Sequence, residues 1–478
     1  MLSPKHEKFL RDLFPGDGSL FTPEENLIFG IDASRLSGTA WAVVRPEARE
    51  QVVELLRWAE YEKIPLFTRG RATNVVGAAV PGDGSGQGMG KDAGLGGESD
   101  AGQGGVVVSM LRMNRIKEIS ADDFVAVVEP GVINGDFQQE LKRRGLFYPP
   151  DPASASISTL GGNVAMGAGG MRAVKYGVTR DYVLGVEAVL PGGKIMRLGG
   201  RCHKNVAGLD LARLFVGSEG TLGVMTELTL KLLPLPEATA SLLAGFATVE
   251  KAMDAERAVF GCGTLPAAME FMAGLVLDAI SQVGEGGTPW SRDTQAVLLL
   301  RIDGSEPAVA EDLRRLEAVF RRHDPACLLT GRGADEDRLW ELRKLINPAS
   351  FRIAPDKISD DVTVPRGKLG EAVRRFEALG KDRGLKMLLF GHLGDGNLHV
   401  NIMHDAANQD ERARALAAKE EVMRITLELG GTLSGEHGIG LTKLPYLHWQ
   451  IGENERALMR EVKKAFDPSG ILNPGKGY

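Results

Sequence analysis

The 478-residue chain lacks the features of several large protein classes. No apolar run reaches the roughly 18–20 residues that a membrane span needs. The N-terminal sequence MLSPKHEKFLRDLF is charged and has no uninterrupted apolar core, so we expect no signal peptide. The net charge of −6 comes without a basic stripe, which argues against a nucleic-acid partner. We therefore expect a cytoplasmic protein, with peripheral docking at the inner face of the membrane left open.

Cysteine is scarce, and the usual nucleotide fingerprints are missing. Cys202, Cys262 and Cys327 are far apart, so they form no CxxC pair and hold no iron–sulfur cluster by themselves. A reduced compartment is the simpler interpretation. No G-x-G-x-x-G occurs, which removes the Rossmann fingerprint, and Gly470–Lys476 is followed by Gly477 where a phosphate-binding P-loop needs Ser or Thr.

Glycine, in contrast, is abundant: 61 of the 478 residues, or about 13%, are glycine, against a usual share of ~7%. Eleven of them lie in the low-complexity run 82–105, which we expect to be an exposed, flexible insertion. Another five lie among the ten positions 161–170, where they disfavour regular helix or strand and permit close approach of backbone to a ligand.

The order of predicted elements indicates an α+β protein in three parts. A strand at 41–44, a helix from Pro46 to about Tyr61 and a strand at 64–68 form a β-α-β unit, which demands parallel strands. The character changes near 234–236 to longer helices, such as 306–322, between strands. We expect a first domain over 1–236, a second α+β domain over 237–429, and a C-terminal segment over 430–478.

The motif GHLGDGNLH carries the strongest local signal. Asp395-Gly396 favours a two-residue hairpin turn, and counting outward from that turn pairs His392 with His399. Directly opposite residues have Cβ atoms ~4.5–5.5 Å apart, so the two imidazoles could share one metal ion. Asn401 follows on the same face. A satisfied polar pair of histidines is the alternative.

Two loops add candidate polar groups. In SGEHGIG, Glu436 would complete a ligand set of two histidines and one carboxylate, which would leave His437 as a base; a solvated turn is the alternative. In FTRGRATN, successive N–H groups after the strand could form an anion nest; an ordinary turn is the alternative.

The ordered motifs RG-x-x-TN, PPDPAS, GSEGTLGV, GHLGDGNLH, SGEHGIG and FDP-x-GILNPGK together resemble the FAD-dependent 2-hydroxyacid dehydrogenase family over about 37–476. This family contains D-lactate dehydrogenases, the flavin subunit of glycolate oxidase and D-2-hydroxyglutarate dehydrogenases. The resemblance implies a vanillyl-alcohol-oxidase-type (PCMH) FAD-binding domain, an α+β cap domain that binds substrate, and a C-terminal segment that returns to the FAD site.

The resemblance also implies roles for individual residues. The metal ligands would be His392, His399 and Glu436, the base His437, and the groups that grip substrate Arg343, Lys357 and Asn401. The residues implied at the FAD site are Arg69, Gly70, Arg71, Ala72, Thr73, Asn74, Pro150, Asp151, Ser154, Gly161, Gly162, Asn163, Ala168, Gly169, Gly170, Tyr176, Gly177, Glu219, Gly220, Val224, Asn473 and Lys476.

This chain departs from the family pattern in several features, among them the insertion at 82–105 and the spacing between Lys357 and Asp361. The family usually has glycines, which allow positive φ, where Arg71 and Ala72 stand. The same loop contains no histidine, which favours non-covalent FAD. Asn347 stands one turn after Arg343, where a hydroxyglutarate enzyme offers threonine.

The expected reaction is oxidation of a D-2-hydroxy acid, D-lactate by preference, with help from Zn²⁺, Mn²⁺ or Fe²⁺. Glycolate and D-2-hydroxyglutarate are the alternative substrates. Electrons would pass to a quinone, an electron-transfer flavoprotein or a separate iron–sulfur subunit, and a homodimer is left open. Other hypotheses are an oxidase that uses O₂, a flavin-bearing assembly subunit without turnover of its own, and, from a different class, a metallohydrolase.

Overall fold

A computed structural model of the chain describes residues 2–82, 84–85, 102–284 and 287–478. Most of the Gly-rich run predicted to be flexible lies outside these residues. By their contacts the residues form two compact units. The first unit comprises Met1–Gly169, Val178–Leu235 and Glu436–Tyr478, and the second comprises Gly170–Gly177 and Pro236–Gly435. The second unit thus takes up 170–177 and 430–435, which the sequence-based boundaries assign elsewhere.

The described residues contain these strands and helices. The strands are β1 (Ser19–Leu20), β2 (Ala40–Val44), β3 (Leu66–Arg69), β4 (Gly105–Ser109), β5 (Ile116–Ser120), β6 (Val125–Val128), β7 (Leu146–Phe147), β8 (Val183–Leu190), β9 (Lys194–Gly199), β10 (Val224–Lys231), β11 (Leu233–Pro234), β12 (Ala238–Phe246), β13 (Ala268–Ala273), β14 (Ala296–Gly304), β15 (Cys327–Gly331), β16 (Asp356–Thr363), β17 (Lys386–His392) and β18 (Asn397–His404). The helices are α1 (Pro4–Leu13), α2 (Pro23–Leu27), α3 (Arg49–Glu62), α4 (Asn134–Arg143), α5 (Leu160–Met166), α6 (Ala173–Tyr176), α7 (Val249–Gly261), α8 (Gly274–Ser281), α9 (Glu306–Arg322), α10 (Ala334–Lys344), α11 (Ile346–Ser350), α12 (Leu369–Arg383), α13 (Gln409–Glu428) and α14 (Glu453–Phe466).

The predicted β-α-β unit is present in the first unit as β2-α3-β3. Its strands are parallel, as expected, but β4 lies between them in a sheet of order β1-β2-β4-β3. The helix begins at Arg49 rather than at Pro46, because Ala48 is still extended with a ψ of 150°. A second sheet, of order β5-β6-β10-β8-β9, is antiparallel throughout.

The Gly-rich stretch 161–170 differs from its prediction, because α5 is a short helix that contains Gly161 and Gly162. Thr159 caps this helix by accepting a hydrogen bond from Gly162 N at 3.1 Å. A Cβ at Gly161 would lie 2.5 Å from Pro130, so close packing favours glycine there. The helix ends at Met166, and the glycine that caps it, Gly167, has a φ of 65°.

The C-terminal segment belongs to the core of the first unit. Leu66 N donates to Ile471 O and Asn473 N donates to Leu66 O, each at 2.8 Å, so the segment runs along β3. Ile471 and Leu472 are buried in the same apolar cluster as α3. The C-terminal segment thus stabilises β3, from which it is some 400 positions away in sequence.

The second unit is built on a seven-stranded antiparallel sheet of order β15-β12-β14-β13-β17-β18-β16. Helices α8, α10 and α11 pack on one face through an apolar cluster that includes Met272, Leu299 and Trp340. Helices α7, α9, α12 and α13 also pack against this sheet. Within the described part of the chain, none of the helices is both long enough and apolar enough to cross a bilayer.

Candidate active site

The hairpin that carries the two candidate histidines has a different register from the predicted one. His392 pairs with Asn397, and Phe390 pairs with His399, so the predicted pairing of His392 with His399 is wrong. The turn comprises the four residues 393–396. Leu393 leaves the β18 ladder because it is buried and its N–H donates to Met269 O of β13 at 2.8 Å.

The two histidines nevertheless lie on one face of the sheet, as diagonal neighbours. Their Nε2 atoms are 3.4 Å apart and both rings are buried. Two ligand atoms ~2.0–2.1 Å from a tetrahedral ion lie about 3.3–3.4 Å apart, so this spacing fits a shared metal ion. It is longer than an ordinary hydrogen bond of ~2.7–3.2 Å, and both the shared metal ion and the polar pair of histidines stay predictions.

A buried carboxylate, Glu270 of β13, joins His392 to Arg343 of α10. Its Oε1 lies 2.6 Å from His392 Nδ1, and its Oε2 accepts from Arg343 Nε at 2.7 Å. Burial alone would raise the pKa of Glu270, but the neighbouring His392 and Arg343 side chains, both hydrogen-bonded to it, hold that pKa below its usual value. Arg343 also lies 4.8 Å from the centre of the Phe390 ring. Arg343, the candidate cation that binds substrate, and His392, a candidate metal ligand, are therefore both hydrogen-bonded to Glu270.

Lys357 and Asn401 complete this face. Lys357 Nζ donates to Asn347 Oδ1 at 2.6 Å and to Ser350 Oγ at 3.2 Å. Asn401 lies two residues after His399 on β18 and is 2% exposed. Its Oδ1 accepts no hydrogen bond from any described residue. The second unit thus places four of the predicted site residues on one sheet face, with Arg343 of α10 hydrogen-bonded to Glu270 of the same face.

The first unit contains a cavity of about 260 Å³ where several glycine-rich segments meet. The predicted FAD-site residues that line it are Arg69, Gly70, Arg71, Ala72, Thr73, Asn74, Ser154, Gly161, Gly162, Asn163, Ala168, Gly169, Glu219, Gly220 and Val224. Glu436 and His437 line it as well.

Polar atoms without a partner show that this cavity suits a polar ligand. Asn163 Nδ2 and Ser158 Oγ both belong to cavity-lining residues and are buried, and neither bonds to another described residue. An unsatisfied buried group costs about 1–3 kcal/mol, so a cofactor that offers hydrogen-bond acceptors would stabilise both. Ala72 has a φ of 52°, so the loop keeps the left-handed backbone that glycine adopts more easily. These residues fit a bound FAD.

Seven predicted FAD-site residues do not line this cavity, and the FAD-binding role of the lining and the non-lining residues alike stays a prediction. Tyr176 belongs to the second unit and donates its hydroxyl to Asp303 at 2.8 Å. Asn473 Nδ2 and Lys476 Nζ donate to the carbonyls of Ala78 and Val80, at 3.0 and 2.8 Å. The other four are Pro150, Asp151, Gly170 and Gly177.

The loop after Glu436 is held by Glu219, a contact that the sequence analysis did not predict. The Glu219 carboxylate accepts from Ile439 N at 2.7 Å and from Gly440 N at 2.9 Å. Burial raises the pKa of this carboxyl, although the two backbone N–H groups act in the opposite direction. Glu219 therefore restrains the backbone two residues beyond His437.

Asp361 of β16 plays a matching part in the second unit. It pairs with His399 in the sheet, and its carboxylate accepts from Gly435 N at 2.7 Å and from Ser434 Oγ at 3.2 Å. Asp361, the strand partner of His399, thus holds Gly435, the residue immediately before Glu436.

Both Glu270 and Asp361 were missed as functional candidates. For Glu270 the available signal was a lone acidic residue inside the apolar strand AMEFMA, since a buried charge needs a partner. Asp361 stands next to Asp360 in DKISDDVT and gave no such signal.

Comparison with known proteins identifies the family. Residues 235–477 match the model of the C-terminal domain of FAD linked oxidases, and residues 87–199 match an FAD binding domain. The glycolate oxidase subunit GlcD of Bacillus subtilis (strain 168) is 38% identical, over 95% of this chain and 92% of that protein. The chain belongs to the FAD-linked 2-hydroxy acid dehydrogenase family. It is an FAD-dependent oxidoreductase, which confirms the resemblance drawn from the motifs and disfavours a metallohydrolase.

Other relatives carry different substrate names. A D-lactate dehydrogenase of Anaerostipes hadrus is 34% identical over 95% of this chain and 92% of its own length. A D-2-hydroxyglutarate dehydrogenase of Stutzerimonas stutzeri (strain A1501) is 33% identical over 91% and 90%. Small hydroxy acids are thus the substrates of this family.

Solved structures confirm the fold class. p-Cresol methylhydroxylase with substrate bound has a TM-score of 0.75 at 17% identity, over 98% of this chain and 95% of that chain. An alkyldihydroxyacetonephosphate synthase has a TM-score of 0.73 at 18% identity, over 100% and 85%. The chain therefore has the α+β, vanillyl-alcohol-oxidase-type FAD-binding fold that the motifs predicted.

Proposed function

We propose that this protein oxidises a D-2-hydroxy acid, with D-lactate preferred, and that His392, His399 and Glu436 bind a divalent metal ion. The observation that supports this most is the 3.4 Å separation of two imidazole nitrogens on a sheet face, beside which Arg343 of α10 is hydrogen-bonded to Glu270. Relatives named for two D-configured substrates support the stereochemistry. The donor set of two imidazoles and one carboxylate suits Zn²⁺, Mn²⁺ or Fe²⁺.

In this proposal Arg343, Lys357 and Asn401 bind the substrate carboxylate. Arg343 keeps both Nη groups for a carboxylate, because only its Nε is used by Glu270. Lys357 is already bonded to Asn347, which favours a substrate with one carboxylate over a dicarboxylate such as 2-hydroxyglutarate. Glycolate also has a single carboxylate for these residues to bind, so it stays the main alternative substrate.

His437 removes the proton of the substrate hydroxyl, because an imidazole titrates near neutral pH. Glu219 holds the backbone of its loop, so that the ring is presented from a fixed position. A divalent ion, when bound, supplies the Lewis acidity that lowers the pKa of that hydroxyl. FAD, when bound non-covalently in the first-unit cavity, supplies the acceptor for the hydride from C2. Electrons then leave to a quinone, an electron-transfer flavoprotein or an iron–sulfur subunit.

Anaerobic bleaching of the flavin tests this proposal. D- and L-lactate, glycolate and D- and L-2-hydroxyglutarate are added separately to the FAD-loaded protein, and the loss of visible absorbance is recorded. We expect D-lactate to bleach fastest and the L-isomers not to react. His437→Asn should bind FAD and remain oxidised, whereas His448→Asn, an exposed histidine in the same C-terminal segment, should behave as wild type. Bleaching by L-isomers alone contradicts the proposal.

A second candidate function is that of a subunit whose turnover needs partner chains, because the Bacillus subtilis relative is named a subunit. An artificial electron acceptor distinguishes the two. Turnover by the purified chain with that acceptor supports the dehydrogenase, and turnover only after addition of partner chains supports the subunit. Release of peroxide under air would indicate an oxidase.

A further inference from the structure

We propose that Glu270 is a positioning residue that fixes His392 as an Nε2 metal ligand and simultaneously fixes Arg343 for the substrate carboxylate. This rests on the proposed function, since it concerns the same metal ion and the same substrate. All three residues lie in the second unit. The inference adds a residue to the site that neither the motifs nor the resemblance assigned.

The contact with Glu270 sets the protonation pattern of His392. An ionised carboxylate only accepts hydrogen bonds, so the 2.6 Å contact requires a proton on His392 Nδ1. In the neutral ring Nε2 then carries the lone pair, and this is the atom that faces His399 Nε2. Carboxylates that hold a ligand histidine in this way orient the ring and increase its basicity.

The same carboxylate orients Arg343. Glu270 Oε2 takes its Nε–H, which aligns the guanidinium plane with the carboxylate and leaves the two Nη groups as a fork. The Phe390 ring, 4.8 Å from the guanidinium carbon, restrains the same group from one side. One carboxylate therefore sets the direction of both a metal ligand and a substrate cation.

The surrounding sheet holds Glu270 itself. Glu270 is fully buried in β13, opposite Leu299 of β14 and His392 of β17. Helix α10, which carries Arg343, is anchored near its start because Glu336 accepts from Arg301 Nε at 2.6 Å and from Ser241 Oγ at 2.9 Å. A buried carboxylate is costly unless both of its oxygens are hydrogen-bonded, and both oxygens of Glu270 are bonded.

The variant Glu270→Gln tests this inference. Glutamine offers one acceptor and one donor, so it cannot accept from both Nδ1–H and Nε–H, and the ring tautomer that exposes Nε2 is no longer enforced. We expect the affinity of the FAD-loaded protein for Zn²⁺, measured by competition with a chelating dye, to fall ~10–100-fold. The KM for substrate should rise as well, while the flavin spectrum stays unchanged.

Glu336→Gln is the matched control, because it removes a buried carboxylate that binds an arginine on the same sheet but contacts no histidine. Its Zn²⁺ affinity should equal that of wild type, and Glu270→Asp should recover part of the loss in Glu270→Gln. If Glu270→Gln binds Zn²⁺ as tightly as wild type, the inference is overturned. If wild type itself neither binds Zn²⁺ nor is reduced by a hydroxy acid, the proposed function fails instead.

A measurement on the unaltered protein covers the case in which Glu270→Gln does not fold. In ¹⁵N-histidine-labelled, Zn²⁺-loaded protein, the ring nitrogens of His392 should show a protonated Nδ1 and a metal-bound Nε2. The variant His392→Gln assigns the signal. A protonated Nε2 in the loaded protein would overturn the inference.

Discussion

Replacing Glu219 by glutamine should slow flavin reduction through the loop that carries His437. Glu219 Oε1 accepts from Ile439 N at 2.7 Å, and Oε2 accepts from Gly440 N at 2.9 Å. Glutamine keeps one acceptor and turns an NH₂ donor toward the other N–H. A hydrogen bond to a charged group contributes about 1.5–3 kcal/mol, so the loss of one and the weakening of the other should cost about 2–4 kcal/mol.

The cost falls on the segment immediately after His437, and a displacement of about 1 Å at a reacting group lowers rates ~10²-fold. We therefore expect Glu219→Gln, with its FAD site saturated, to reduce the rate of anaerobic flavin reduction by D-lactate about 100-fold. The assay is stopped-flow absorbance of the flavin, alongside thermal unfolding of each variant.

Glu129→Gln is the control for this experiment. Glu129 is also buried in the first unit and accepts from Arg115 N at 2.8 Å and from Arg115 Nε at 3.1 Å, but it does not line the cavity. It should lower the unfolding temperature without slowing flavin reduction. The reasoning is refuted if Glu219→Gln reduces its flavin within threefold of the wild-type rate, or if both variants slow the reaction equally.

Three further predictions concern cofactor affinity and stability. Asn163→Ala should weaken FAD binding ~10-fold in titrations of apoprotein, because the buried Nδ2 would lose a bonded acceptor of the cofactor. Ala72→Gly should raise the free energy of unfolding by about 0.5–1 kcal/mol, since φ is 52° there; destabilisation would contradict this. Burial raises the pKa of Glu256 to about 7 from the usual 4.5. Its stabilising contribution is therefore present at low pH and lost as pH rises through 7. The free energy of unfolding of Glu256→Gln should equal that of wild type at low pH and exceed it above neutrality by about 1–2 kcal/mol, after discounting for solvent screening.

Local patterns sufficed for much of the fold. The α9 helix has the predicted bounds 306–322, because its apolar period and its flanking residues are contiguous in sequence. The β2-α3-β3 unit was predictable for the same reason, but the insertion of β4 between the strands depends on contacts far along the chain. The helix α5 was missed because tertiary packing against Pro130 outweighs the low helix propensity of glycine.

The candidate site divides in a similar way. His392 and His399 could be identified because they lie close in sequence on the two strands of one hairpin. The predicted register was wrong because Leu393 bonds to β13 instead of pairing with β18. Glu270 is 122 positions from His392 and meets it only through the adjacency of β13 and β17, which no local pattern encodes. The hydrogen bond between Tyr176 and Asp303 likewise joins residues that are far apart in sequence, so no local pattern predicts it.

The central claim is that a metal ion held by the paired histidines assists the oxidation of a D-2-hydroxy acid. The most direct test measures anaerobic flavin reduction by D-lactate in protein stripped with a chelator and then reloaded with Zn²⁺ or Mn²⁺. We predict that the stripped protein keeps its FAD but is not reduced, and that adding back one equivalent of metal restores the reaction in wild type but not in His399→Ala. Full reduction of the stripped, metal-free protein at the wild-type rate would contradict the account.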